Sequence, residues 1–392
     1  MGLTDAVTSR GLSQRIQSAT KAIQQAFFNE RALFKIAEKR IKYGGSHTEV
    51  EWYIRNVPTG QTATHGNPDG ELSVLTFEEQ KPANRVHLPY CYILKTYGIS
   101  DRSIEANKNA GANKIYDIIA ENLTLAQLFM YDAIGPAIYN ATSADTEQPV
   151  GLLGVCGSPI HTSNHAVVAA LVSYANRTLA TAGFTGSGLT SATTGLGIQR
   201  TASIAAAGTS WDDNQWAPIV CSIEDACISA GDATQTKWST GCLQALSWLA
   251  DQSLTRTTSG TGAQIKYDLA LMEQGPYSAL KNLLITSQRT YNIPLGRQDL
   301  VLAGFKNIVV DTITCVKDSD VPKSADGTER VFVCDSSQFF IETTHSKSEG
   351  FIKNDFDPDI AIINGAVGTL KANYMFRWNS PTAVACIVGC DD

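Results

Sequence analysis

The chain has 392 residues, 43% hydrophobic and 18% charged, so it can bury a large core and is not disordered as a whole. Lys and Arg number 31 against 38 Asp and Glu, a net charge of −7, which argues against a surface built mainly to bind phosphates. The apolar runs are shorter than the ~20 residues of a membrane helix, so we expect no membrane span. At ~150 residues per domain, the length predicts two or three compact units.

The first 30 residues and the cysteines favour a chain that is made and kept in a cytoplasm. The N-terminal residues are polar with a helical pattern and lack the basic patch, apolar block and cleavage site of a signal peptide. The nine cysteines are odd in number and include no CxxC pair. In a reducing compartment we expect them to be small buried hydrophobic residues.

Residues 12–42 are predicted to be helical, because apolar residues such as Ile16, Ile23 and Phe27 recur at helical spacing. Residues 1–42 hold eight Lys or Arg against three Asp or Glu, a net charge of +5 that leaves −12 on the remainder. This charge is typical of a solvated helix face, and also of an arm that lies across an acidic partner surface or near nucleic acid. The sequence leaves both interpretations open.

Residues 49–97 are predicted to be extended. Apolar and polar residues alternate over 49–55 and partly over 72–78, and turn-forming residues fill 58–70 between them. Two strands joined by a long polar tip form a protruding hairpin, and charged residues make its strands too polar for a buried sheet. These residues are Arg55, Glu78, Glu79, Lys81 and Arg85. A hairpin alone is marginally stable in water, so we expect another part of the assembly, such as a second subunit, to hold it.

A long helix is predicted after Gly98. Ser100 or Asp101 can cap it, and it runs to about Asp132, a length of ~45 Å at 1.5 Å per residue. Its apolar residues are predicted to share one broad stripe. They are Ile104, Ile115, Ile118, Ile119, Leu123, Leu128 and Phe129.

The second half of the chain changes from small residues to strands. Residues 155–265 are rich in Ala, Gly, Ser and Thr, with loops at 183–195 and 255–262 and short helices expected at 163–182 and 239–251. Strands are predicted from residue 300 onwards, at 306–314, 331–343, 369–378 and 382–388. Within 369–378 the apolar residues alternate with polar ones, as in a half-exposed sheet. The order of helix, hairpin, long helix, mixed domain and sheet predicts an α+β fold.

Candidate catalytic and metal sites in the sequence are all incomplete. His161 and His165 have helical metal-ligand spacing but no third ligand nearby. The acidic run 355–359 resembles a calcium loop, yet Ile360 stands where the turn requires Gly. The glycine-rich stretch 183–188 lacks the Gly-Lys-Ser/Thr ending of a phosphate-binding loop. We therefore predict no catalytic residue, no metal site, no cofactor and no enzyme activity.

This order of elements resembles that of a major capsid protein of a tailed bacteriophage, with the Hong Kong 97 type of fold, over essentially the whole chain. Glu147-Gln-Pro-Val-Gly-Leu-Leu153 is similar to the step at which such proteins enter their axial domain. Val331-Phe-Val-Cys-Asp335 is similar to the strand that returns to the peripheral domain, and 369–378 and 382–388 are similar to the closing strands.

The resemblance implies five segments. They are an N-terminal arm at 1–46, an extended hairpin loop with flanking strands at 47–98, a spine helix of the peripheral domain at 99–150, an axial domain at 151–330 and a peripheral-domain sheet at 331–392. The implied function is self-assembly into hexamers and pentamers of an icosahedral shell that encloses double-stranded DNA. Implied partners are other copies of the chain and DNA in weak non-specific contact, with portal, scaffolding and decoration proteins as further partners of the family. The implied location is the virion capsid, after assembly in the host bacterial cytoplasm.

The resemblance also implies that the hairpin and the arm contact neighbouring subunits. The expected inter-subunit residues of the hairpin are Trp52, Arg55, Glu78, Glu79, Lys81 and Arg85, and those of the arm are Arg15, Lys21, Arg31 and Lys35. Replacing Trp52 or Arg55 is expected to impair assembly more than subunit folding. Some relatives cross-link the loop to a neighbour through Lys and Asn, but the tip 58–70 has no Lys, so we expect no such bond. The arm pattern begins by residue 12, so we expect a separate scaffolding protein or none.

Three alternatives stay open at this point. An encapsulin-like nanocompartment shell protein is similar in fold and encloses a cargo enzyme in place of DNA. A hydrolase that uses the Gly/Ser-rich loops of 183–262 would bring a His next to a Ser or Cys nucleophile. A tail or adhesion protein is disfavoured, since the sequence shows neither repeats nor a trimeric coiled coil.

Overall fold

A computed structural model of the chain describes its structured parts with gaps between them. The described residues are 31–45, 49–55, 83–100, 112–139, 149–156, 194–195, 198–199, 219–223, 226–227, 230–231, 234–235, 237–254, 264–286, 307–323, 329–357 and 365–390. The predicted strand 72–78, helix 163–182 and loop 255–262 lie outside them, as do His161 and His165.

The described chain begins with a short buried helix, α1 (Ala32–Ala37), followed by a 3-10 turn over Glu38–Arg40 and the strand β1 (Ile41–Lys42). The predicted helix up to residue 42 is therefore too long. Ile41 and Lys42 instead pair in parallel with Ile341 and Glu342, and this pairing overrides the local helical period.

The predicted hairpin is confirmed in its pairing. Strand β2 (Glu49–Arg55) lies antiparallel to β3 (Ala83–Pro89), with Trp52 opposite Val86. After Tyr90 the chain continues directly into β4 (Cys91–Ser100). The connection between β2 and β3 lies outside the described residues.

The long helix α2 (Ala112–Ala137) is also confirmed, and it continues five residues beyond the predicted end at Asp132. Its predicted cap is wrong in one respect, since Ser100 is the last residue of β4. A short helix, α3 (Leu152–Cys156), follows.

Strands β12 (Phe339–Thr343), β13 (Lys353–Asp357) and β14 (Gly365–Trp378) build a five-stranded sheet with β1 and β4. The long strand β14 is its centre, with β12 and β13 along one side and β4 along the other. The predicted alternation in β14 is confirmed: Leu370, Tyr374 and Trp378 are buried, whereas Lys371 and Arg377 are partly exposed.

The second sheet has six strands. Their bounds are β7 Ile219–Ser222, β8 Leu269–Met272, β9 Asn307–Val310, β10 Ile313–Lys317, β11 Arg330–Cys334 and β15 Val384–Val388. Across the sheet they lie in the order β7, β15, β11, β8, β10, β9. Strands β5 (Thr194–Gly195) and β6 (Ile198–Gln199) form a two-stranded ladder that belongs to neither of these sheets.

Two predicted strands are each divided in the structure. The predicted strand 306–314 is the hairpin of β9 and β10, which turns at Asp311 in the left-handed region with φ of 51°. The predicted strand 331–343 is β11 followed by β12, in different sheets. A 3-10 turn over Ser336–Gln338 separates them, and the Asp335 carboxylate caps it by accepting from the Ser337 amide at 2.9 Å.

Helices α4 (Trp238–Leu254) and α5 (Gln274–Thr286) cover one face of the six-stranded sheet. The predicted helix 239–251 is confirmed as α4. Side chains on that face, such as Met272 and Val333, belong to the core that α4 and α5 complete. Alternate residues, such as Leu271 and Phe332, belong to a second core that also contains α1, α2, α3 and the five-stranded sheet. The six-stranded sheet is thus shared by both cores, and the α+β class is confirmed.

Candidate functional site

The described residues hold no group of three or more His, Cys, Asp or Glu side chains that could bind a metal ion. Nor is any described helix long and apolar enough to cross a bilayer. All nine cysteines are buried, as predicted. Burial raises the pKa of the Cys386 thiol to about 12, which keeps it protonated and poorly reactive near neutral pH.

The base of the hairpin is fixed by Trp52. The indole is only 6% exposed, and its Nε1 donates to the Asn379 carbonyl oxygen at 3.4 Å. The Arg377 guanidinium lies 4.9 Å from the centre of the indole ring. Val50 on β2 and Leu88 on β3 are buried beside it in the core of the five-stranded sheet. The hairpin is therefore anchored at its base by the subunit's own sheet.

Arg377 connects this anchor to the neighbouring strand. Its guanidinium donates to Glu342 Oε1 at 2.6 Å and, through Nε, to Asn379 Oδ1 at 3.1 Å. Lys42 on β1 lies 3.4 Å from the same Glu342 oxygen. Burial, and next the Glu342 carboxylate, raise the pKa of Tyr90 to about 12. The point at which β3 passes into β4 thus lies near a partly buried ionic cluster.

The structure brings some of the predicted hairpin residues together and leaves others undescribed. Trp52 contacts its own sheet and therefore anchors the hairpin within the subunit, while its predicted contact with a neighbouring subunit stays a prediction. Arg85 lies opposite Tyr53 and Arg55 opposite Ala83 in the β2–β3 ladder. Three further predicted residues lie outside the described residues. They are Glu78, Glu79 and Lys81.

The arm residues that the structure describes also have partners within the subunit. Arg31 Nε donates to Asp320 Oδ2 at 2.5 Å, and Lys35 pairs with Glu38 at 2.8 Å. Next to Asp320, the buried Asp318 carboxylate accepts from the Tyr139 hydroxyl at 2.8 Å, and burial raises its pKa. The predicted residues Arg15 and Lys21 lie outside the described residues.

The sequence did not predict an exposed apolar surface on α2 and β4. Leu128 and Phe129 were expected on one stripe with Leu123, but Leu123 is fully buried whereas Leu128 is 48% and Phe129 60% exposed. Five residues advance the helix by about 140°, so Leu123 and Leu128 cannot share a face. The spacing of these residues in the sequence therefore already places Leu128 on a different face of the helix from Leu123.

The exposed apolar residues lie on two adjoining elements. The Lys95 ammonium of β4 is 4.9 Å from the centre of the Phe129 ring on α2, so the two elements adjoin, although Lys95 and the pair Tyr92 and Leu94 point to opposite faces of β4. The side chains of the exposed apolar residues are between 45% and 60% exposed. These residues are Tyr92 and Leu94 on β4 and Leu125, Leu128 and Phe129 on α2.

No protein-family model matches the sequence, and no curated protein matches it. Among solved structures, the capsid of cyanophage A-1(L) is 13% identical, with a TM-score of 0.48 over 90% of both chains. The capsid of a native GTA particle is 11% identical, with a TM-score of 0.46 over 91% of this chain and 90% of that one. A virus-like particle from Pyrococcus furiosus is 8% identical, with a TM-score of 0.40 over 95% and 98%. The chain is similar in fold to phage capsid proteins, the resemblance that the order of its elements predicts.

Proposed function

We propose that this chain is the major capsid protein of a tailed bacteriophage. In this proposal it assembles into hexamers and pentamers of an icosahedral shell that encloses double-stranded DNA, and it has no enzymatic role. Assembly takes place in the host bacterial cytoplasm, and the product is a virion component. We retain the five predicted segments, from the arm at 1–46 to the sheet at 331–392, as the domain division of the proposed subunit.

The observation that carries the proposal is strand β4. This ten-residue strand pairs with β14 along one side, and no described strand pairs with its other side. Tyr92 and Leu94 on it are about half exposed. A long strand edge with half-exposed apolar side chains is a surface that another chain can bind, and soluble monomers usually avoid it. We infer that this edge is a contact between subunits.

The anchored hairpin supports the same proposal. Trp52 and Arg377 fix its base to the sheet, and β3 runs through Tyr90 into β4. A hairpin that is rigid at its base can transmit a contact made further along it to the body of its own subunit. Repeated around a closed shell, contacts that are individually weak add up through symmetry and multivalency.

Assembly of the purified chain tests the proposal. Light scattering and negative-stain microscopy are expected to show closed particles, or rings of five and six subunits that close when a scaffolding protein is added. Chain that stays a 42.1 kDa monomer at every concentration, salt and pH, with and without cell extract from its host, would contradict it.

A double variant and a matched control test the role of β4. Tyr92→Asp with Leu94→Asp is expected to abolish particles while the urea midpoint of the subunit stays close to that of the wild type. Ile285→Asp on α5, which is 56% exposed, is the matched control and should assemble. Normal assembly of the β4 variant would show that β4 is not part of the contact between subunits.

The cargo distinguishes the proposed capsid from a nanocompartment. Particles isolated from producing cells are expected to contain nuclease-resistant double-stranded DNA. A stoichiometric packaged protein in place of DNA would assign the shell to the alternative class.

A further inference from the structure

We propose that the exposed side of α2 in one subunit binds the exposed face of β4 in the next subunit, so that neighbouring copies of the chain contact each other head to tail. The two surfaces are called the α2 stripe, formed by Glu121, Leu125, Leu128, Phe129 and Asp132, and the β4 face, formed by Tyr92 and Leu94. The inference rests on the proposed function, in which β4 is a contact between subunits, and it names the surface that β4 meets.

The α2 stripe is one continuous face of the helix. Relative to Glu121, its members stand at i+4, i+7, i+8 and i+11, which is the spacing of a single helix face. Leu123, Met130 and Ile134 on the other side of α2 are buried in the core that contains the five-stranded sheet. The α2 stripe therefore points away from that sheet.

The β4 face points in the opposite direction. Lys95 contacts Phe129, so the side of β4 that bears Lys95 is the side that faces α2. Tyr92 and Leu94 are three positions and one position from Lys95, and successive residues of a strand point to opposite faces. The α2 stripe and the β4 face thus lie on opposite sides of one subunit, and neither can bury the other within it.

This opposition favours a head-to-tail contact over a symmetric pair. A two-fold pair brings the same surface of both copies together, so it would cover only one of the two exposed surfaces. A contact between unlike surfaces covers both in every copy, and its repetition gives a ring when the rotation between copies closes. The proposed function requires rings of five and six subunits.

The charges beside the two surfaces are complementary. Glu121 and Asp132 of the α2 stripe form no ion pair with any described residue, and Lys95 is the cation at its edge. Two α2 stripes packed together would add these carboxylates to each other, which disfavours a pair of like surfaces.

The β4 face is bordered by lysines in place of carboxylates. Lys371 lies directly opposite Leu94 in the ladder, and Lys353 lies directly opposite Lys371. Both lysines share the Asp355 carboxylate, at 2.9 Å from Lys371 and 3.6 Å from Lys353, and Lys353 also lies 3.0 Å from Glu349. Lys371 is thus the cation next to the β4 face that can pair with a carboxylate of the α2 stripe.

Mixing two full-length variants tests the proposal. Leu128→Glu with Phe129→Glu removes the α2 stripe, and Tyr92→Asp with Leu94→Asp removes the β4 face. Each variant alone is expected to stay a 42.1 kDa monomer, because the contact needs both surfaces. The equimolar mixture retains one intact surface of each kind, so analytical ultracentrifugation should show a complex of twice that mass and no larger species.

The replaced residues are 45% to 60% exposed, so both variants are expected to keep the urea midpoint of the wild type. Leu254→Glu on α4, which is 54% exposed, is the matched control for an added surface charge and should assemble as the wild type does.

Two results would overturn the proposal while the wild type still assembles. A dimer formed by either variant alone would show that like surfaces pair, and a mixture that stays monomeric at every concentration would show that the α2 stripe and the β4 face do not meet. A wild type that itself stays monomeric would contradict the proposed function, and this inference with it.

A charge reversal tests the pairing without touching the apolar residues. Glu121→Lys with Asp132→Lys is expected to slow assembly of the chain about tenfold in light scattering, because cations then face Lys371. Adding Lys371→Glu should restore part of the rate. A triple variant that assembles no faster than the double variant would overturn the charge pairing on which the proposal depends.

Discussion

Arg377 links three elements through one planar guanidinium, which packs on the Trp52 ring and binds both Glu342 and Asn379. Lysine carries the same charge but cannot stack or form the same set of hydrogen bonds. We expect Arg377→Lys to lower the free energy of unfolding by about 1–2 kcal/mol, as measured by urea denaturation. Lys371→Gln, at an exposed ion pair with Asp355, is the control and should have little effect. An equal effect of both changes would argue against the special role of Arg377.

Replacing Trp52 and replacing Tyr92 are expected to have opposite effects on subunit stability and on assembly. Both are aromatic residues, Trp52 on the hairpin and Tyr92 on the strand that continues it. Trp52→Ala should cost the subunit about 3 kcal/mol of stability, because it removes a buried indole from the core. Tyr92→Ala should leave the urea midpoint nearly unchanged and reduce particle yield in light scattering. A stable Trp52→Ala subunit that fails to assemble would instead support the contact with a neighbouring subunit that the resemblance implies.

The intramolecular contacts of Trp52 could not be predicted from the sequence, for a physical reason. Its partner Asn379 is 327 residues further along the chain, and local alternation cannot show which face of a strand meets a distant sheet. The charges of the hairpin predict strands too polar for a core, and the anchor that holds its base depends on tertiary contacts that the sequence does not show. A residue that packs against a distant strand is therefore the kind that sequence patterns assign least well.

At the scale of elements, the loop between β12 and β13 is closed by Glu349. Its carboxylate accepts from the Ser346 amide at 2.9 Å and lies 3.0 Å from the Lys353 ammonium. The hydrogen bond from the Ser346 amide, and after it the hydrogen bond from Lys353, lower the pKa of Glu349 from 4.5 to about 2. A carboxylate with a depressed folded pKa stabilises the fold above its unfolded pKa and loses that effect as the pH falls through the folded one.

We therefore expect Glu349→Gln to lower the thermal midpoint at pH 7. The difference from the wild type should shrink as the pH falls from 4.5 towards 2. Thermal scans of both proteins across this range measure it. A difference that stays constant down to pH 2 would show that the carboxylate charge is not responsible.

Elements with a strong period were predicted well, and those that depend on pairing were not. The alternation of β14 and the helical pattern of α4 give the observed strand and helix, since each repeats over many residues. Ile41 and Lys42 form a strand only because β12 is there to pair with them. The turn at Asp311 was missed because β-branched and apolar residues continue on both sides of it. Local period thus determined element type, whereas pairing partners determined element boundaries.

At the scale of the whole molecule, the six-stranded sheet contributes opposite faces to the two cores. Neither core can unfold without removing one face of that sheet, so the described chain should unfold in one cooperative transition. Phe339→Ala in one core and Leu246→Ala in the other should each cost about 3 kcal/mol and shift the same calorimetric peak. Two separate peaks, each sensitive to one substitution only, would show that the cores are independent.

The continuous path from β3 through Tyr90 into β4 has a mechanical consequence. A pull along the hairpin loads β4 lengthwise against β14, to which it is joined over ten paired residues from Cys91 to Ser100. The hydrogen bonds of an antiparallel ladder lie across the strands, so this load shears all of them together and does not peel them one at a time. The subunit therefore resists tension along the hairpin with the full strength of this ten-pair ladder, and yields more readily to a force that lifts the edge of β4.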